Sequence, residues 1–138
     1  RIVTSASCID TSQSVKMTIL PIITGNSIKS RAPEEDSICF GMRFQELISA
    51  NVLGGGDNSY KYKWESSINY SAWVNADGIS DRDSLDPIEL TAERIPENYY
   101  QFRRIVYSGT DSVCSDISDT VHLRDFPKIT NNNIYTVD

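Results

Sequence analysis

The side chains best suited to chemistry in this 138-residue chain are a run of acids, one histidine, three cysteines and some aromatics. Asp77, Asp81, Asp83 and Asp86 place four carboxylates in one short stretch. Calcium takes about six to eight oxygen ligands from a compact loop, so these residues form a candidate calcium site. Their spacing does not follow the EF-hand loop and Arg82 interrupts them; an acidic turn on a solvated edge is the plainer reading. Asp57 with Asn58 is a weaker candidate of the same kind. His122 is the only histidine. It has no second imidazole for a zinc site and no nucleophile motif for a triad, so a structural or solvent-facing role is expected. Gly54, Gly55 and Gly56 lack phosphate-loop spacing and precede a strand rather than a helix, which makes them a turn. Tyr70, Trp73 and Tyr107 are candidates for an aromatic platform under a sugar ring, although inter-layer packing is the commoner fate of such rings. No catalytic constellation is visible, so the chain is expected not to be an enzyme. No cofactor is expected beyond the calcium candidate.

The elements that must position these residues read as strands. The net charge is −6 and the sequence pI about 4.7. That argues against nucleic acid and against an anionic membrane surface, both of which need clustered Lys and Arg. No apolar run reaches the ~18 residues of a membrane span. Apolar residues make up 39% of the chain and are mostly β-branched or aromatic, which favours strands. Residues 38–44 alternate, with Ile38, Phe40, Met42 and Phe44 on one side. In residues 60–65, Tyr60, Tyr62 and Trp64 oppose Lys61, Lys63 and Glu65, so Trp64 belongs to the core. Further strands are expected at 22–28, around Trp73-Val74, around Ile88 and Leu90, and over 120–123. A turn is expected at 91–98. The long strand over 99–107 should face inward through Tyr100, Phe102, Arg104 and Val106. About seven short strands without helical periodicity imply an all-β, antiparallel β-sandwich.

The chain also repeats itself. Cys8, Asp10, Ser12, Val15, Pro21, Ile23, Thr24, Asn26 and Ile28 recur, at one constant offset, as Cys114, Asp116, Ser118, Val121, Pro127, Ile129, Thr130, Asn132 and Ile134. Arg1-Ile2-Val3 recurs as Arg104-Ile105-Val106 at an offset three residues shorter. The period is ~100 residues, the signature of a tandem array. The expected division is 1–20, the last strands of a preceding repeat; 21–126, one complete repeat; and 127–138, a linker and the start of the next. Within 1–20, strands are expected at 1–4 and 14–20 with a polar turn at 8–12, ordered only by docking on a sheet. The offset makes Cys8 the counterpart of Cys114, so Cys39 and Cys114 are the expected disulfide of the complete repeat. It would close a loop of ~75 residues and contribute about 4 kcal/mol. It would also place the chain in an oxidising compartment. Two buried free thiols are the alternative.

The stretches "ITGNSI" and "ITNNNI", "SICFG", "GGGDNSYKYKWESS" with the following Trp73, "DPIELTAE", "YYQFRRIVYSG" and "CSDISDTV" resemble, in that order, the immunoglobulin-like repeats of very large surface and gliding-motility adhesins of Bacteroidota. The resemblance implies an immunoglobulin-like fold, type IX secretion, an extracellular cell-surface location and a stalk or filament role. It also implies O-glycosylation, a property of that group's secreted proteins, at Asp followed by Ser or Thr and an apolar residue. The matching positions are Ser37, Ser84, Ser112 and Thr120; turn-forming Asp-Ser and Asp-Thr pairs entering strands are the plainer explanation. The expected function is a structural spacer that holds a distal adhesive region away from the cell. Its expected partners are neighbouring repeats and other copies in a filament, with no nucleic acid and no membrane insertion. The alternative is a ligand-binding module that recognises glycan or protein through its end loops.

Overall fold

The computed structural model describes residues 1–32, 36–39, 41–87 and 98–134. Its strands are β1 (Ile2–Ser5), β2 (Cys8–Thr11), β3 (Ile28–Ser30), β4 (Ser37–Cys39), β5 (Leu47–Ser49), β6 (Tyr60–Ile68), β7 (Val74–Asn75), β8 (Asn98–Ser108), β9 (Cys114–Ile117) and β10 (Val121–Phe126). The fold is all-β.

Strand β8 organises the rest because its side chains alternate without a break. Tyr100, Phe102, Arg104 and Val106 are all buried, as the sequence pattern requires. β6 pairs antiparallel along one edge, from Tyr60 opposite Ser108 to Ile68 opposite Tyr100. Two strands share the other edge: β10 beside the first half of β8 and β9 beside the second. β4 and β7 extend the sheet, giving the order β4-β10-β8-β6-β7. β3 and β5 form a separate antiparallel pair. Ile28 and Leu47 from that pair join Trp64, Tyr100, Phe102 and Leu123 of the main sheet in one core, completed by Phe44, Ala76 and Leu85. Trp64 is fully buried, and its indole N–H donates to the Arg82 carbonyl at 2.9 Å. Truncating a side chain so placed costs about 3–5 kcal/mol. The Phe44 ring meets Tyr100 edge-on, with centroids 5.5 Å apart.

Several expected elements differ. The alternation at 38–44 does not make one strand: Gly41 takes a left-handed φ of 82° and the Met42 N–H donates to the Cys39 carbonyl, turning the chain. β4 then pairs with β10 in parallel, a crossover that local pattern cannot reveal. The strand expected at 22–28 shrinks to a Thr24–Gly54 bridge followed by β3. The polar stretch at Cys8 is strand β2, not a turn, and Ser14 to Leu20 is not a strand. Val15, Met17 and Ile19 are accordingly exposed. The strand expected at Ile88 and Leu90, and the turn at 91–97, lie outside the described residues; Asn98 begins β8. Gly55 and Gly56 do form a turn, both with positive φ, and the Tyr60 hydroxyl donates to the Gly55 carbonyl.

Candidate functional site

The most constructed polar site surrounds Arg104. Alternation along β8 drives this side chain into the interior, where the residue is 0% exposed. Its Nε donates to Asn26 Oδ1 at 3.0 Å, and its Nη1 donates to Ser49 Oγ and to the Asp83 carbonyl at 2.7 Å. The guanidinium carbon lies 5.5 Å from the Tyr62 ring centre and 5.7 Å from that of Trp64. Nη2 has no hydrogen-bond partner, and among the described residues no carboxylate forms an ion pair with this side chain. Burial pulls its pKa below the ordinary guanidinium value; a guanidinium nevertheless stays charged. The side chain thus joins the segment before β3 (Asn26), strand β5 (Ser49) and the loop before residue 88 (Asp83). Asn26 reinforces the joint by donating from Nδ2 to the Asp116 carbonyl at 3.0 Å.

The Arg104 backbone marks a second feature. Between β9 and β10 the edge strand breaks at Ser118, whose N–H donates to the Arg104 carbonyl while its Oγ accepts from the Arg104 N–H, both at 2.9 Å. The same pair of bonds occurs at the other end of the chain. The Ser12 N–H donates to the Arg1 carbonyl at 2.8 Å, and the Arg1 amino nitrogen donates to Ser12 Oγ at 2.9 Å. The register agrees as well. Ile2, Val3, Thr4 and Ser5 face Thr11, Asp10, Ile9 and Cys8, just as Ile105, Val106, Tyr107 and Ser108 face Ile117, Asp116, Ser115 and Cys114. The hairpin β1–β2 is therefore a conformational copy of the β8–β9 hairpin, as its sequence is a copy. Only the turn differs: Ala6-Ser7 in one, and the longer turn at Thr110–Ser112 in the other.

The expected disulfide is not formed; Cys8, Cys39 and Cys114 are all free. Cys39 lies opposite Phe126, past the Asn98 end of β8, whereas Cys114 lies opposite Ser108 at the far end. Ten residues of strand put about 33 Å between those ends, and a disulfide needs Cα atoms about 5.5–6 Å apart. Neither cysteine is a buried thiol, because Cys39 is exposed and Cys114 half-buried.

Asp77, Asp81, Asp83 and Asp86 do not converge, and among the described residues no group of three metal-ligating side chains is assembled. The Asp86 carboxylate pairs with Arg43 at 3.1 Å. The stretch works through its backbone instead. The carbonyls of Ser80, Arg82 and Asp83 accept from the Trp64 N–H, the Trp64 indole and Arg104, and Leu85 exchanges two backbone hydrogen bonds with Leu47. Ser37, Ser84, Ser112 and Thr120 are each half-buried. Ser37 Oγ donates to Asp36, and Ser84 hydrogen-bonds the Glu46 carboxylate. His122 is exposed on β10 opposite Gln101.

Tyr70, Trp73 and Tyr107 do not share one platform. Trp73 is covered by the Arg103 guanidinium, 4.2 Å from its ring centre, and the same arginine forks onto Glu65 Oε2 at 2.9 and 2.7 Å. Lys63 holds the other oxygen of Glu65 at 2.8 Å, and first Lys63, then Arg103, keep the Glu65 pKa below the usual carboxylate range. Tyr70 lies beside Tyr99 instead, with centroids 6.3 Å apart, and Arg124 sits between the Tyr99 and Phe126 rings. Tyr107 faces Lys61, near the opposite end of β8. On the outward face of the sheet Arg103 and Arg124 thus each lie against aromatic rings. Among the described residues, no helix is long and apolar enough to cross a membrane. No protein-family model, no curated protein and no solved structure matches this chain.

Proposed function

We propose that the chain carries a structural repeat of a large extracellular surface protein, an immunoglobulin-like unit that stacks end to end with copies of itself and serves as a spacer. The observation that supports this most is the reproduction of the β8–β9 register, down to the Arg–Ser backbone clamp, in β1–β2. In an array, each repeat adds its own stability and an interface with its neighbours. Short entry segments such as residues 20–28, tied down by Asn26 and by Leu20 beside Gly109, suit a stiff joint better than a tether. The test is small-angle scattering on a chain in which residues 21–126 are present twice. A spacer gives a rod longer by one full repeat, and a compact or freely bending particle refutes the reading. A second reading, a binding module, is favoured by the exposed Tyr70–Tyr99 pair beside Arg124. It requires hits for the present chain on a glycan array, which the spacer reading does not.

A further inference from the structure

The net charge of −6 is not spread evenly over the surface. Residues directly opposite each other in a sheet project to the same face, and successive residues alternate. Tyr100, Phe102, Arg104 and Val106 point into the core, so Tyr99, Arg103 and Tyr107 point outward with their cross-strand neighbours. Lys61 stands opposite Tyr107, Lys63 opposite Ile105, Glu65 opposite Arg103 and Arg124 opposite Tyr99. Among the described residues of β6, β8, β9 and β10, the outward face therefore carries four cations, Lys61, Lys63, Arg103 and Arg124, and one carboxylate, Glu65. The acidic excess of the chain lies off this face. Glu65 is already held by Lys63 and Arg103. Lys61 is exposed and enters no ion pair among the described residues.

Aromatic rings accompany these cations at a regular spacing. Arg124 lies 5.1 Å from the Tyr99 ring centre, Arg103 lies 4.2 Å from that of Trp73, and Lys61 faces Tyr107. Positions 99, 103 and 107 are four residues apart on β8, which places the three pairs about 13 Å from one another. Gln101, opposite Ser67 and His122, adds neutral polar groups between them.

We propose that the outward face of the main sheet binds an acidic polysaccharide, extended along β8. Lys61, Lys63 and Arg103 attract its carboxylates, and Tyr99 and Tyr107 offer flat surfaces to the C–H faces of its sugar rings. Cations set this far apart suit a polymer whose charges are spread along its length. Duplex DNA, with a charge every ~1.7 Å, fits poorly: it meets the repulsion of an acidic chain, and its major groove admits a helix or a two-stranded ribbon rather than a sheet face. Arg103 is also held in advance between Trp73 and Glu65, so little side-chain ordering opposes binding. The inference rests on the binding-module reading, for which it names the ligand class, and does not need the spacer role.

The test is native electrophoresis of the full chain through gels containing polygalacturonate, a polymer of uronic acid, read against polymer-free gels. The fully methyl-esterified polymer is the uncharged control. The expected result is retardation by the acid form alone, fading as salt screens the charges. Lys61→Gln with Lys63→Gln should weaken binding about tenfold, the loss of two surface ion pairs. Lys29→Gln, the same change at an exposed position on β3 in the other layer, should leave binding unaltered. Absence of retardation at low salt overturns the proposal. So does equal weakening by Lys29→Gln, which would make bulk charge the cause, or equal retardation by duplex DNA, which would make any polyanion a ligand. Equal retardation by the methyl ester overturns the acidic assignment and leaves the binding-module reading standing. Sedimentation showing dimers of the free chain that the double substitution dissolves makes the occupant a second copy and overturns the proposal as well.

Discussion

Replacing Arg104 tests the reasoning about the buried joint at its most demanding point. The residue is fully buried and gives charge-assisted hydrogen bonds to Asn26, Ser49 and the Asp83 carbonyl, yet among the described residues no carboxylate forms an ion pair with it. Each such bond is worth about 1.5–3 kcal/mol, while burying the cation costs several kcal/mol, which the unpaired carboxylates of Asp83 and Asp119 offset only in part. Arg104→Ala loses the bonds, leaves three acceptors unsatisfied and opens a cavity, for a net cost of about 3–5 kcal/mol. Arg104→Met keeps the stem and fills the space while removing the charge, so it should cost less, under ~2 kcal/mol. Arg104→Lys keeps the charge but loses the planar fork, and should be at least as damaging as alanine. Urea unfolding followed by the fluorescence of Trp64, whose ring centre is 5.7 Å from the guanidinium, reads all three. For the alanine variant the midpoint should fall by about 2 M. An alanine variant within ~1 kcal/mol of the parent, or a methionine variant worse than alanine, would refute this account of the site.

The Glu65 carboxylate titrates below its ordinary value of 4.5 because Lys63 and then Arg103 hold it ionised. Its contribution is complete above the unfolded value and disappears as pH falls through the folded one; Glu65→Gln should therefore be the less stable protein at pH 7 and flatten the acid limb of the stability curve, with the two proteins converging at low pH. A parent and variant whose unfolding curves stay parallel from pH 7 to pH 3 would contradict this. Limited trypsin digestion read by mass spectrometry should cut first after Lys16 and Lys128, in segments that are exposed and outside any strand, well before Lys63 or Arg103 on paired strands. At Gly55, φ is 83° and an added Cβ would lie 1.8 Å from the Ile22 carbonyl; Gly55→Ala should cost at least ~2 kcal/mol in the same urea assay.

The parts of the fold legible in the sequence are those with a local period. Tyr100, Phe102, Arg104 and Val106 alternate over a strand long enough for no other reading, and Trp64 shares its face with Tyr60 and Tyr62. Parts that depend on long-range pairing were not legible. Nothing in Ser37–Cys39 announces a parallel partner in β10. Nothing in the cysteine spacing reveals that β8 separates Cys39 from Cys114 by its whole length. Residues 77–87 misled in a different way: their carboxylates advertise solvent or calcium, whereas the useful atoms are carbonyls, which every residue possesses. The Arg104 joint did leave a trace. Arg104, Ser118 and Asn26 are three of the residues that recur, as Arg1, Ser12 and Asn132, but the repeat alone did not say that they meet.

We propose that residues 1–20 have the strand pairing of residues 104–126 and need the same covering strands, and one fusion tests it directly. Joining residues 21–103 ahead of Arg1 restores to the hairpin the strands that β8–β9 enjoys, since Arg1 follows position 103 as Arg104 does. Hydrogen exchange on the fused chain should then show amides 2–11 and 15–20 protected to the same degree as amides 105–117 and 121–126. Rapid exchange of residues 1–20 in the fusion, with 105–126 protected, would contradict the account.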